Sequence, residues 1–217
     1  MLDRSLLSEA QEDAVSRLGS NALLVASMGF GKSVVAATAI ADRKDLSRVL
    51  IITTPKIAKG VWAQEFQKWS HLSHIKVGVA AGTPAQREAV LASDAHVVVT
   101  TFALIPWMMS RLDGFDGLVI DETTKLKTVG GVSFRALRPR LKRFKWRVGL
   151  AGTPVAEDFV GLYGQMLLID EGEALGRRKD PSLQRFYYPV GYEHVSWVLR
   201  PGAEKEIMPL VRHLIHV

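Results

Sequence analysis

The feature that most constrains this fold is a glycine-rich segment directly after a short apolar run. Residues 26–33 read Ala-Ser-Met-Gly-Phe-Gly-Lys-Ser and match the phosphate-loop pattern GxxxxGK[ST], except that Ala26 stands at the first glycine position. The apolar run Ala22–Ala26 comes before it, and the helix-forming segment Lys32–Asp42 follows. A strand, a tight turn and a helix in this order direct backbone N–H groups toward a bound phosphate. The alternative, a chance glycine turn before a helix, leaves the lysine and serine unexplained.

The residues of this segment have distinct expected roles. Gly29 and Gly31 let the backbone turn its N–H groups toward phosphate oxygens. Lys32 brings a positive charge to the β- and γ-phosphates, and Ser33 offers a hydroxyl to Mg²⁺. We therefore predict a site for ATP and Mg²⁺ whose residues in this segment are Met28, Gly29, Phe30, Gly31, Lys32 and Ser33.

A second motif ends in two carboxylates. Residues 118–122 read Leu-Val-Ile-Asp-Glu, an apolar strand followed by an acidic pair. Ligands of open α/β sheets bind at the carboxyl ends of the strands. Alone, such a pair is also typical of a helix N-cap or a solvated turn. Because it follows a phosphate loop, we predict that Asp121 joins Ser33 as a metal ligand and that Glu122 orients or deprotonates the attacking water, so the predicted catalytic residues are Lys32, Asp121 and Glu122.

Short apolar runs recur between helix-like segments along most of the chain. They are Ala22–Ala26, Arg48–Thr53, Ile75–Val79, His96–Thr100, Gly117–Ile120 and Arg147–Leu150. Runs that are apolar on both faces are typical of parallel strands covered by helices. The alternation predicts an α/β fold with a doubly wound, mainly parallel sheet and helices on both faces. The pattern changes after Leu168, so we predict one domain over residues 1–168 and a C-terminal appendage over residues 169–217.

The charge of the chain is concentrated in one segment. Lysine and arginine total 28 against 22 acidic residues, but no acid lies between Thr123 and Ala156. That segment suits a polyanion, and it equally suits a solvated helix face. Its cations are Lys125, Lys127, Arg135, Arg138, Arg140, Lys142, Arg143, Lys145 and Arg147. The absence of cysteine excludes disulfides, thiolate zinc sites and cysteine nucleophiles.

The motifs together resemble those of a known family. The run from Asp121 to Lys127, Asp-Glu-Thr-Thr-Lys-Leu-Lys, resembles the DEAH box of superfamily 2 helicases and, more closely, that of Swi/Snf-type DNA translocases. Two departures are Thr124 in place of the box histidine and Ala151 in place of the threonine or serine of motif III. Four further blocks are similar to family motifs: Gln11; Leu50–Pro55 together with Trp62, Glu65 and Trp69; Val98–Phe102; and Leu150–Pro154. Two later blocks, Leu162–Met166 and Leu199–Gly202, look like those of the bacteriophage and prophage subgroup.

The resemblance implies the N-terminal RecA-like lobe of a helicase or translocase and a role for several residues. Gln11 would contact the adenine edge. One DNA strand would meet Pro55, Lys56, Thr100, Thr101 and Phe102. The state of the γ-phosphate would be coupled to DNA contact through Gly152, Thr153 and Pro154.

The implied partners are DNA and a second RecA-like lobe, in cis or in trans, toward which residues 169–217 would serve as a linker. We expect weak hydrolysis from the lobe alone, since an arginine finger from a second lobe contributes about 10³–10⁵ in turnover. No apolar run approaches the roughly 20 residues of a membrane span, so we expect no membrane partner and a cytoplasmic location in a bacterial or phage-infected cell.

Two alternatives stay open at this point. The chain could be a non-hydrolysing binding module, a decoy or docking lobe that acts on a protein or on DNA. A small-molecule kinase fits less well, because such kinases close an arginine-bearing lid over the nucleotide and nothing in the sequence resembles one.

Overall fold

Seven parallel strands form one sheet in the computed structural model, which describes residues 1–126, 128–152, 159–178, 184–190 and 196–216. The order across this sheet is β3-β4-β2-β5-β6-β1-β9, and β7 and β8 form a separate antiparallel pair. The strands are β1 (Ala22–Val25), β2 (Val49–Thr53), β3 (Val77–Val79), β4 (Val97–Thr101), β5 (Gly117–Asp121), β6 (Trp146–Ala151), β7 (Tyr187–Val190), β8 (Ser196–Leu199) and β9 (Ile215–His216).

Helices cover both faces of the sheet. They are α1 (Glu9–Arg17), α2 (Lys32–Asp42), α3 (Pro55–Lys68), α4 (Pro84–Ala92), α5 (Ile105–Met108), α6 (Val132–Leu137), α7 (Phe159–Asp170) and α8 (Ala203–Val211). Capping boxes begin α1 at Ser8 and α4 at Thr83, so both helices start where a side chain satisfies free backbone N–H groups. Within the described residues, no helix combines the length and apolar character needed to cross a membrane.

The strand sequences explain the two layers of the core. Every residue of β2 is buried, and successive side chains point to opposite faces. Leu50 and Ile52 accordingly pack in one apolar cluster, whereas Ile51 packs in the other. The predicted doubly wound parallel sheet is confirmed. Because its strands are parallel, all of them end at one edge, which we call the carboxyl edge, and begin at the opposite amino edge.

The end of the described chain returns to the sheet. Leu23 and Leu24 of β1 pair with Ile215 and His216 of β9, and the N–H of Leu23 donates to the carbonyl of Leu214 at 2.7 Å. The sequence carries no signal for β9, because two residues are too few to show a period. The predicted boundary after Leu168 falls inside α7, and the division into lobe and appendage stays a prediction.

The segment between Thr123 and Ala156 that contains no acid, here called the basic segment, includes both structural and exposed cations. The guanidinium of Arg147 is buried, donates to the carbonyls of Ile169 and Leu141 at 2.9 and 2.8 Å, and pairs with Glu171 at 2.9 Å. Two further cations form ion pairs, Arg143 with an aspartate at 2.9 Å and Lys145 with another at 3.2 Å. The exposed cations include Lys125, Arg135, Arg138, Arg140 and Lys142, while Lys127 lies outside the described residues.

Candidate nucleotide-binding site

The turn between β1 and α2 has the backbone geometry of a phosphate-binding loop. Gly29 and Gly31 adopt φ angles of 88° and 89°, in the left-handed region that strains residues with a side chain. Gly31 is the N-cap of α2, and a Cβ atom there would lie 2.6 Å from Nε2 of Gln11. Both glycines are therefore required by conformation, and a side chain at Gly31 would also displace the amide of Gln11.

The first hydrogen bond of α2 runs from the N–H of Val35 to the carbonyl of Gly31 at 3.1 Å. The N–H groups of the preceding residues, which include Lys32 and Ser33, have no partner within the helix and are free to bind an anion. Ser33 is half-buried in this first turn. The loop therefore offers backbone donors and a hydroxyl at one helix end.

The ammonium group of Lys32 is held by the loop itself. Its Nζ donates to the carbonyls of Ala26 and Ser27 at 2.7 and 3.0 Å. The N–H of Ala26 donates to the carbonyl of Ala151 at 3.1 Å, which ties the loop to the end of β6. Ala26 does not adopt a positive φ angle, so its backbone conformation does not require glycine at this first position of the loop.

The two apolar residues of the loop differ in exposure. The side chain of Met28 is 95% exposed at the tip of the loop. Phe30 is half-buried and packs against the apolar cluster that contains Ile51. Phe30 therefore anchors the loop, and Met28 is left free to meet a ligand.

Gln11 connects α1 to the phosphate loop. Its Oε1 accepts the N–H of Ser8 at 2.8 Å within the capping box, and its Nε2 donates to the carbonyl of Phe30 at 2.8 Å. Both ends of the amide are engaged with backbone, so Gln11 fixes the loop against α1. The adenine contact implied by the family resemblance stays a prediction.

Asp121 ends β5 and is oriented by two donors. Its Oδ2 accepts Oγ1 of Thr53 at 2.9 Å and the indole Nε1 of Trp62 at 3.1 Å. Burial raises the pKa of this carboxyl above its ordinary value, because the two hydrogen bonds oppose the effect only in part. Glu122 raises the pKa further, and the positive charge of Lys32 lowers it. Lys32 follows β1 and Asp121 ends β5, so both residues lie on the carboxyl edge.

The donors of Asp121 belong to a block similar to a family motif, but sequence reasoning missed their contact with the acid. Trp62 is fully buried. A buried indole N–H nearly always has an acceptor, and that rule was the available signal for a second role. Thr53 is the last residue of a strand beside β5, where its side chain can reach the same carboxylate.

Glu122 is exposed and adopts φ 70°, a left-handed conformation that costs a residue with a side chain about 1–2 kcal/mol. Strain of this kind is concentrated at functional sites. No described residue donates a hydrogen bond to Oδ1 of Asp121, and that oxygen with the Ser33 hydroxyl forms the hard oxygen donor set that Mg²⁺ prefers. The residues present therefore fit a magnesium nucleotide.

A buried hydrogen bond joins the acidic motif to α7. Oγ1 of Thr123 lies 2.6 Å from Oε1 of Gln165, and both side chains are buried. A Cβ atom on Gly149 of β6 would lie 2.6 Å from Cγ2 of Thr123, so that glycine makes room for the threonine. Sequence reasoning missed this link, because only the fold brings Thr123 and Gln165 together. Gly152 is exposed, and Thr153 and Pro154 lie outside the described residues.

The predicted DNA-contacting residues differ in exposure. Pro55 and Lys56 begin α3 and are exposed, and Phe102 is half-buried. Thr100 and Thr101 are buried, and the hydroxyl of Thr100 donates to the carbonyl of Ala80 at 3.0 Å. DNA contact at all five positions stays a prediction.

Comparison with known sequences identifies similar proteins. Residues 11–180 match the family described as the SNF2-related domain. Protein p41 of Acyrthosiphon pisum secondary endosymbiont phage 1 is 28% identical over 186 residues, which cover 79% of this chain and 40% of that protein. A Xenopus tropicalis protein, SWI/SNF-related matrix-associated actin-dependent regulator of chromatin subfamily A-like protein 1, is 32% identical over 158 residues, which cover 72% of this chain and 16% of the relative.

Solved structures share the fold. The Sulfolobus solfataricus SWI2/SNF2 ATPase core in complex with dsDNA superposes with a TM-score of 0.78 at 24% identity, covering 97% of this chain and 44% of that one. The UvsW helicase from bacteriophage T4 superposes with a TM-score of 0.57 at 20% identity, covering 73% of this chain and 58% of that one. The chain thus spans less than two thirds of each of these proteins.

Proposed function

The chain belongs to the SNF2-related domain family, and from that membership we propose that it is the ATP-binding lobe of a DNA-dependent ATPase. Its role is to couple ATP hydrolysis to movement on DNA once a second RecA-like lobe, in cis or in trans, completes the site. The archaeal SWI2/SNF2 core in complex with dsDNA supports DNA as the partner.

One observation carries the proposal. The glycine turn with Lys32 follows β1, the oriented carboxylate of Asp121 ends β5, and both lie at the same edge of the sheet with only β6 between their strands. A phosphate-binding loop and a metal-binding acid are useful for phosphoryl transfer only when they face one ligand.

Each residue contributes a separate part of the chemistry. Lys32 and the first N–H groups of α2 bind the phosphates, and Ser33 and Asp121 would hold Mg²⁺. Bound Mg²⁺ supplies positive charge that neutralises the phosphate oxygens. Thr53 and Trp62 fix the rotamer of Asp121. Glu122, exposed beside it, orients the hydrolytic water and accepts its proton.

Nucleotide binding is tested by isothermal titration with Mg-ATP. Lys32→Ala should lower the affinity at least about 100-fold, because a charge-assisted contact with the phosphates is lost. Lys44→Ala is the matched control, since Lys44 is exposed just past the other end of α2 and carries the same charge. Equal ATP affinity in wild type and Lys32→Ala would refute the nucleotide site.

Hydrolysis is tested by adding the second lobe of a relative in trans and measuring DNA-stimulated ATPase activity. We expect a large increase with wild type, and about 10² to 10⁴-fold less turnover with Glu122→Gln, which lacks the general base. Glu122→Gln should still bind Mg-ATP. If ATP binds but the added lobe and DNA produce no activity, the chain is instead a non-hydrolysing binding module.

A further inference from the structure

Trp107 is the centre of a cation cluster outside the nucleotide site. It lies in α5, is half-buried, and its ring centroid is 4.5 Å from Cζ of Arg87 and 4.5 Å from Cζ of Arg111. A guanidinium at this distance is attracted to the indole π-system. One aromatic ring therefore holds two like charges from two different elements of the fold.

Arg111 is already compensated within the protein. Its Nε pairs with Glu88 at 2.8 Å, and its Nη1 donates to the Trp107 carbonyl at 3.1 Å and to Oγ of Ser110 at 2.8 Å. These bonds fix the guanidinium against the ring and neutralise its charge.

Arg87 has no such partner. In the described part of the chain it forms no ion pair, and its Nε is buried without a hydrogen-bond acceptor. Leaving a buried donor unsatisfied is costly, and more so for a charged group. The half-buried guanidinium is thus held in place by Trp107 with its positive charge uncompensated, which favours an external anion.

The position of Arg87 indicates which anion is suitable. Arg87 lies in the first turn of α4, which follows β3, and Trp107 lies just after β4. Both strands end at the carboxyl edge. Strand β2, the other neighbour of β4, ends at the same edge and is followed by the exposed Pro55 and Lys56. Phe102, which follows β4 at the same edge, accepts the hydroxyl of Ser133 on α6 through its carbonyl at 3.0 Å. The cluster therefore extends the predicted DNA-facing surface toward β3.

We propose that Arg87 binds a backbone phosphate of DNA, with Trp107, Arg111 and Glu88 as positioning residues. The inference rests on the proposed function, from which it takes DNA as the polyanion. The planar guanidinium fork fits a phosphate, and a backbone contact carries no sequence preference. The bound phosphate would supply the negative charge that no described residue provides to Arg87.

The test measures fluorescence anisotropy of a labelled DNA duplex over a series of salt concentrations. Arg87→Ala should weaken binding about tenfold at low salt and reduce the magnitude of the log–log salt slope by about 0.9, the value for one neutralised phosphate. Arg87→Gln retains side-chain length without charge and should show the same loss. Arg87→Lys should retain the slope while losing part of the affinity.

The control is Arg140→Ala, which removes an equal exposed charge before β6 at the amino edge. It should leave affinity and slope close to wild type. An equal loss in Arg140→Ala and Arg87→Ala would assign DNA binding to the basic segment or to net charge, and would overturn the inference. Thermal unfolding of each variant, read by circular dichroism, separates misfolding from lost contact.

The experiment distinguishes failure of the Arg87 proposal from failure of the proposed DNA-dependent function. If wild type binds the duplex and neither Arg87→Ala nor Arg87→Gln weakens it, only the role of Arg87 is wrong. If wild type binds no DNA at any salt concentration while binding Mg-ATP normally, DNA as the partner is wrong, and with it both the inference and the DNA-dependence of the proposed function.

Discussion

An aspartate lies at each end of β5, and the pKa values of the two carboxyls are shifted in opposite directions. Asp116 precedes the strand at the amino edge, and Asp121 ends it at the carboxyl edge. Burial alone would raise the pKa of Asp116, but hydrogen bonds from the N–H groups of Arg48 and Ser47 and from Lys145 lower it below the ordinary value. At Asp121 burial prevails and the pKa is raised.

The difference shows that charged groups that stabilise the fold and charged groups that can bind a ligand lie at opposite edges of the same sheet. At the amino edge, the charges that are buried or half-buried are satisfied by atoms of the fold, as where the carbonyls of Ala95 and Leu91 accept hydrogen bonds from Arg48 at 2.8 and 3.0 Å. At the carboxyl edge, Asp121 retains an oxygen without a protein donor and Glu122 is exposed. Ligands bind at the carboxyl edge of such sheets, so charges there are left available.

Loss of Arg147 at the amino edge should have the largest effect on stability. Arg147→Ala removes one partner of a buried pair and leaves Glu171 and several carbonyls without their donor, at a cost of about 3–5 kcal/mol. Urea unfolding measures this cost, with Arg140→Ala as the exposed control. A change below about 1 kcal/mol would contradict a structural role for this cation.

Lys32→Ala at the carboxyl edge should show the reverse behaviour. We expect at least about 100-fold weaker ATP binding with a nearly unchanged unfolding free energy, because its two hydrogen bonds are to a surface loop. Titration with Mg-ATP and urea unfolding of the same preparation test both parts. A loss of stability equal to that of Arg147→Ala would erase the distinction between the two edges.

Asp116→Asn should destabilise the protein by about 1–2 kcal/mol near neutral pH, because a charge-assisted acceptor of two backbone N–H groups is weakened. The folded-state pKa is lowered, so the stabilisation from the ionised carboxyl is present above the ordinary pKa of 3.8 and is lost as the pH falls through the folded value. The difference between wild type and variant should therefore shrink in acid, as measured by thermal unfolding across pH.

Asp121→Asn should change the free energy of unfolding by less than Asp116→Asn does, and with the opposite sign. The amide oxygen still accepts from Thr53 and Trp62, but the buried charge is gone, so we expect a gain of about 1 kcal/mol near neutral pH. Because the folded-state pKa is raised, ionisation opposes folding above it, and the gain should disappear as the pH falls through that value. A variant less stable than wild type at neutral pH would contradict the raised pKa.

Much of the fold and part of the site were predictable from local patterns. The strands of the parallel sheet up to β6 follow from runs that are apolar on both faces, and the family suggested by the ordered motifs is confirmed. The turn at Gly29 and Gly31 was predictable because glycine alone adopts such φ angles without strain.

Contacts between distant segments were not predictable. Thr53, Trp62 and Asp121 meet only because β2 and β5 are neighbours in the sheet, and Arg87 meets Trp107 only because α4 and α5 follow adjacent strands. The sequence likewise could not show which cations of the basic segment are buried and which are exposed, since the burial of Arg147 depends on α7 and the turn that follows it.

The sequence by itself determined the element types, the phosphate-loop turn and the family, because apolar periodicity, glycine conformation and motif order are local properties of the chain. Only the tertiary structure decided which charges are compensated and which remain available. That outcome depends on the donors, acceptors and burial that distant segments bring to each group, and these set the pKa of Asp121 and the uncompensated charge of Arg87.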